Sequence, residues 1–333
     1  MQYALRILLL VVAATSVSFS IAIAQEGEKT KRVGIIVWSS PAARGHLEQA
    51  LLDELRSEGY VEGKNLVFER RYIPKGGIEE VRKAANELAS LRLDAVVSTC
   101  SPSTAAMRQA TLNSGTPVVM AVVADPVGQE LVASLSRPGG NVTGLSSQGE
   151  DVLEKMLDYL SAVVPKSARV AVLFNTTNPV HPRLWRKLEM AGKARDVELV
   201  RVDVAGREDL AGAIDRIARE RLGALLVLPD DNMTYNSRKQ LVELVAQQRL
   251  PAIFGAREFV VEGGLMSYGE NMASSYRRAA VYLDKILKGV KPASLPVEQP
   301  TRFELVINLK AAAALGVTIP LALRVSAIDV INE

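Results

Sequence analysis

Ser101, Ser103 and Thr104 follow an apolar run ending near residue 99, and Pro102 sits among them as at an opening helix. Free N–H groups and the positive dipole end at such a helix start favour a carboxylate, and the hydroxyls add donors. Asp125 follows a second apolar run, 117–123, and Asp230 precedes Asn232 after a third, 224–228. Either carboxylate can receive an ammonium group through a charge-assisted hydrogen bond. Ser39 and Ser40 follow the run 32–37, and Asn175 and Thr176 follow 168–174. Trp38 is a candidate wall, and Tyr235, Phe254 and Tyr268 are weaker ones. The chemistry of this set suits a small zwitterion. The competing reading is structural, because Ser and Asp in such places are ordinary helix caps.

These residues share one topological place. From residue 31 the chain alternates strands and helices. The pattern predicts strands at 32–37, 65–72, 94–98, 117–123 and 141–145, with helices at 42–58 and 78–91 and another opening at 101. A short helix is expected at 127–136. The alternation then restarts, with helices at 151–164, 182–194, 208–221 and 237–249 and strands at 168–174, 197–204, 224–228, 251–254 and 264–268. A long helix at 273–288, a Pro-rich linker at 289–300 and one helix at 309–315 complete the chain. Continuous apolar runs such as Val33-Gly-Ile-Ile-Val37 are those of parallel strands buried on both faces. Two successive βαβ series imply an α/β fold of two doubly wound parallel-sheet lobes, which bind ligands at the carboxyl ends of their strands.

Composition narrows the function. The chain has 333 residues, 48% hydrophobic and 23% charged, enough for two domains with real cores. Its net charge of +3 is spread over interspersed signs without a basic stripe, so no nucleic-acid partner is expected. Arg6, the apolar run 7–23 and Ala22-Ile-Ala24 form a signal peptide, 1–24, cleaved before Gln25. No integral membrane segment is expected after cleavage. Cys100 is the single cysteine, so there is no internal disulfide. There is no G-x-G-x-x-G, Walker A or G-x-S-x-G pattern. His46 and His181 stand alone without Cys partners. No cofactor, metal or catalytic residue is expected. Asn141-Val-Thr143 matches a glycosylation sequon and is read as turn chemistry.

Four ordered blocks carry a resemblance. They are Gly59-Tyr-Val-Glu-Gly-Lys-Asn-Leu66, the stretch from Asp125 to Gly144, Gly263-Gly-Leu-Met-Ser-Tyr-Gly-Glu-Asn271, and Pro300-Thr-Arg-Phe-Glu-Leu-Val-Ile-Asn-Leu-Lys310 followed by Ala314-Leu-Gly316. Together they resemble the type I periplasmic solute-binding proteins of ABC importers, in the tryptophan/tyrosine-transport-like branch. The resemblance implies two lobes joined by three crossings, near 145–149, 264–268 and 296–302. The N-terminal lobe would comprise 31–146 plus 268–295, and the C-terminal lobe 147–267 plus 296–333. It implies a periplasmic, non-enzymatic protein that closes on an amino acid or related small acid and delivers it to an ABC permease in the inner membrane. The alternative is a sensory protein that presents its ligand to a receptor or histidine kinase.

Overall fold

The structure is a computed structural model, described for residues 30–75, 77–165, 168–229 and 231–331. The expected signal peptide, 1–24, and Asp230 lie outside the described residues.

The first sheet has five parallel strands in the order β2-β1-β3-β4-β5. They are β1 (Lys31–Val37), β2 (Leu66–Tyr72), β3 (Ala95–Ser98), β4 (Val118–Ala124) and β5 (Val142–Ser147). Helix α1 (Pro41–Ser57) starts where the Ser40 hydroxyl accepts from Ala43 N at 3.2 Å. Its Leu47, Leu51 and Leu55 recur every fourth residue and bury one face on the sheet. Helices α2 (Ile78–Ser90) and α3 (Ser101–Ala110) cover the opposite face.

The second sheet has seven strands in the order β12-β11-β10-β9-β8-β6-β7. They are β6 (Val170–Asn175), β7 (Leu199–Val204), β8 (Ala224–Val227), β9 (Ala252–Phe254), β10 (Met266–Gly269), β11 (Glu304–Asn308) and β12 (Asp329–Ile331). Helices α4 (Gly149–Ser161) and α5 (His181–Ala194) join Met156, Leu160, Leu184 and Leu188 in one core layer. On the other face, α6 (Leu210–Arg219), α7 (Asn232–Asn236), α8 (Arg238–Gln247) and α9 (Arg257–Val261) bury Ile214, Ile217, Leu241 and Phe259.

The chain passes between the sheets three times. It leaves the first between Ser147 and Gly149 and returns after Gly269. Helix α10 (Met272–Leu287) then packs Tyr276, Ala279, Ala280 and Leu283 among the α1 leucines. The last crossing runs past Glu298 to β11, which is followed by α11 (Leu309–Leu315) and α12 (Leu321–Ser326). The first and third crossings lie side by side: Glu298 N donates to Gly144 O at 3.0 Å, and Ser146 N donates to Glu298 O at 2.8 Å.

Three details differ from the sequence reading. Residues 127–136 form turns, not a helix. Asp125 and Glu130 have φ of 43° and 55°, which breaks right-handed helical geometry, while Leu131 and Val132 anchor the segment in the core. β11, α12 and β12 are additional elements beyond the single helix expected there. β10 and β11 are antiparallel, with Gly269 opposite Glu304. β10 leaves toward the first lobe from the same end at which β11 arrives, so the two must run oppositely. Tyr268 therefore lies in the second sheet, and the second crossing follows Gly269 rather than spanning 264–268.

Candidate functional site

The strand carboxyl ends of both sheets converge on a cavity with about 850 Å³ of empty space, its open side included. Sites for small ligands occupy about 300–1,000 Å³. The first lobe contributes Arg44, Thr99, Cys100, Ser101, Val122 and Ala124. The second contributes Val227, Asp231, Asn232, Tyr235, Phe259 and Phe303. Gln148, Gly149, Gly269, Glu270 and Met272 come from the crossings. Gly269 has to be small, because a Cβ there would stand 1.9 Å from Gly255 O. A wider outer cleft shares Cys100, Ser101, Asp231 and Asn232 with this cavity, and adds Trp38, Ser39, Ser40 and Asn175.

Hydrogen bonds close the cleft over the cavity. Asn232 Nδ2 and Asn236 Nδ2 donate to Trp38 O at 2.8 and 3.0 Å. Ser39 Oγ donates to Asn236 Oδ1 at 2.7 Å. His46 Nε2 and Glu258 Oε1 meet at 3.2 Å. Burial works to raise the Glu258 pKa, but the bond to His46, a backbone N–H and the charges of His46 and Arg238 together outweigh it and hold this carboxyl below its usual range.

Arg44 dominates the cavity electrostatically. It extends from α1 across the cleft and is 6% exposed. Its Nη2 donates to Asn232 Oδ1 at 2.8 Å, and its guanidinium lies 4.5 Å from the Tyr235 ring centroid. Nε has no hydrogen-bond partner, and no carboxylate among the described residues pairs with this cation. The buried Tyr235 hydroxyl is also unpartnered, and the Tyr276 phenol lies against the guanidinium and Thr99. Burial pushes both phenols up, so they remain protonated donors.

Two carboxylates line the same cavity. Asp231 is 8% exposed and caps α7 through Met233 N and Thr234 N. Its Oδ1 also accepts from Asn175 Nδ2 at 2.9 Å. Glu270 accepts from Ser275 Oγ at 3.1 Å. Behind Asn175, the His181 Nδ1 accepts from Asn175 N at 2.9 Å. Burial pushes the His181 pKa down, against the charge of Asp231. Among the described residues, no group of three or more His, Cys, Asp or Glu is placed to hold a metal ion. No helix among them is long and apolar enough to cross a membrane.

Of the sequence candidates, Ser101 and Asn232 line the inner cavity. Trp38, Ser39, Ser40 and Asn175 line the outer cleft. Ser103 and Thr104 do not line the inner cavity: both are fully buried, and their hydroxyls bond Cys100 O at 3.0 and 2.9 Å. Thr176 instead turns its hydroxyl to Val204 O at 3.2 Å, and Thr177 takes its place in the cleft. Asp125 lies beside the crossings, where it accepts from Gly128 N at 2.9 Å and from Arg183 Nη1 at 2.6 Å. Tyr268 packs edge-on against Tyr159 at 5.1 Å, away from the cavity. Phe254 stacks on Phe259 in the core at 4.7 Å.

The strand-end rule takes in Asp231 with Asp230 and Asn232, but the sequence reading did not single out the cavity-lining Arg44, Glu270, Gln148 and Phe303. Arg44 had one available signal. It is a cation in the first turn of a helix, where the dipole disfavours it, so something other than the helix must hold it there.

Two α/β lobes, joined by three crossings and closing on a cavity that both line, define the type I periplasmic binding protein fold. The chain belongs to the ABC transporter substrate binding protein family, whose model matches residues 32–331. A tyrosine-binding protein of Clostridioides difficile (strain R20291) is 23% identical over 290 residues, 87% of this chain and 82% of that protein. An ABC domain in complex with L-Trp from Streptococcus pneumoniae superposes with a TM-score of 0.83 at 24% identity, covering 91% of this chain and 100% of that one. A conserved domain protein from Vibrio cholerae O1 biovar El Tor superposes equally well, with a TM-score of 0.83 at 29% identity and the same coverage.

Proposed function

We propose that this protein captures one α-amino acid with an apolar or aromatic side chain between its lobes and delivers it, closed, to an ABC permease. The observation that carries this reading is the cavity's charge set. One buried cation, Arg44, and two carboxylates, Asp231 and Glu270, stand among apolar walls from Val122, Val152, Val227, Phe259 and Phe303. A zwitterion answers the charges, and an apolar side chain answers the walls. The relatives that bind tyrosine and L-Trp agree with this choice. We assign direct ligand contact to Arg44, Ser101, Asp231, Asn232, Tyr235 and Glu270. Trp38, Ser39, Ser40 and Asn175 form the mouth. The protein acts after export, in the periplasm, and performs no chemistry on its cargo.

A thermal-shift panel of ligand-stripped protein tests this reading. Ligand at about 100 times its dissociation constant stabilises by about 2.7 kcal/mol. Apolar or aromatic amino acids should raise the melting temperature, and sugars should not. A response to sugars with silence across amino acids would overturn the assignment.

A further inference from the structure

We propose that Arg44 makes closure of the lobes conditional on a carboxylate in the cavity. The proposal deepens the amino-acid reading and takes the nature of the carboxylate from it. Arg44 belongs to α1 of the first lobe, but its guanidinium ends against Asn232 and Tyr235 of the second. Closure therefore takes a strongly hydrated cation out of water. What it receives is one neutral amide acceptor, one neutral phenol and one ring face, with Nε left without a partner and no counter-charge. A buried charge without a counter-charge is strongly disfavoured.

The protein's own carboxylates are committed elsewhere. Asp231 accepts from Asn175 Nδ2 and from the first turn of α7, and Glu270 accepts from Ser275. Its neighbours Tyr235 and Tyr276 bring no charge to Arg44 either, since burial keeps both phenols protonated. A ligand carboxylate supplies what is missing. It can accept from the orphaned Nε and from the unpartnered Tyr235 hydroxyl beside the guanidinium. Because that geometry is assembled only when the lobes meet, the carboxylate binds the closed form better than the open one and shifts the population. The same atoms then select against ligands whose acid is amidated or absent.

Small-angle scattering tests this directly. Ligand-free wild type should be extended, contract with L-tryptophan, and remain extended with L-tryptophanamide. Arg44→Met removes the charge and keeps apolar volume, so this variant should be contracted without any ligand. A folded Arg44→Met protein that scatters like extended wild type would overturn the proposal, as would a wild type already contracted without ligand. If wild type ignores L-tryptophan while Arg44→Met is contracted, the gate stands and the choice of amino acid falls. Should circular dichroism show Arg44→Met unfolded, Arg44→Gln and the wild-type comparison decide, and equal contraction by L-tryptophan and its amide counts against the gate.

Discussion

Arg183 and Asp125 bridge the two lobes beside the crossings, with Nη1 and Oδ2 2.6 Å apart. Arg183 also pairs with Glu150 of its own lobe, so opening the cleft costs it only one of two carboxylates. Asp125, just after β4, lies on the hinge side of the cleft with Gly128 and Arg183 as its partners.

That placement sets the size of a mutational effect. Asp125→Asn keeps a side-chain oxygen for Gly128 N and tolerates the φ of 43°, but removes the charge. Exposed ion pairs contribute about 0.2–1 kcal/mol, so amino-acid affinity should fall less than about fivefold. A calorimetric titration showing a loss of a hundredfold would place Asp125 in contact with ligand after all.

Asn232 makes two bonds across the cleft, to Trp38 O and from Arg44, each at 2.8 Å. With net contributions of about 0.5–1.5 kcal/mol per hydrogen bond, Asn232→Ala should weaken amino-acid binding by about tenfold. The ligand-free melting temperature should hardly move. Unchanged affinity would remove Asn232 from the account of closure.

His181 gives a dependence on pH. Burial holds its folded pKa below the value near 6.5 of the unfolded chain. Between those two values the unfolded chain binds more protons, so stability falls as pH drops below about 6.5 and is level above it. His181→Asn keeps an acceptor for Asn175 N and cannot titrate. Its melting temperature should decline less than wild type between about pH 6.5 and 5, a window above that of the carboxylates. Superimposable curves would dismiss His181 as the source.

Gly144 has φ +127°, and a Cβ there would stand 2.3 Å from Met120 O, at the register shift between β4 and β5. Gly144→Ala should destabilise the protein by about 3 kcal/mol in denaturant unfolding. A loss within about 0.5 kcal/mol would mean that the strands relax freely.

The fold was legible where strands are continuous apolar runs and helices carry clean stops, as in β1 and α1. It was less so after Pro300. Leu305-Val-Ile307 is too short a run to identify as a strand, and β11 depends on pairing with β10 across the returning chain. The cleft was legible as a place, because strand ends define it. Its occupants were not. Sequence offers Ser103 and Ser101 equally, yet helix phase buries the first and exposes the second to the cavity. Arg44 lies seven residues past the end of β1, inside a helix and not at a strand end, where the ligand is expected.

The most direct measurement is a calorimetric titration of ligand-stripped protein with a panel of amino acids, L-tryptophan and L-tyrosine among them, and sugars as controls. The account predicts saturable binding of an apolar or aromatic amino acid at one site per chain, lost in Arg44→Gln. Binding of a sugar without any amino acid, or undiminished amino-acid binding by Arg44→Gln, would contradict it.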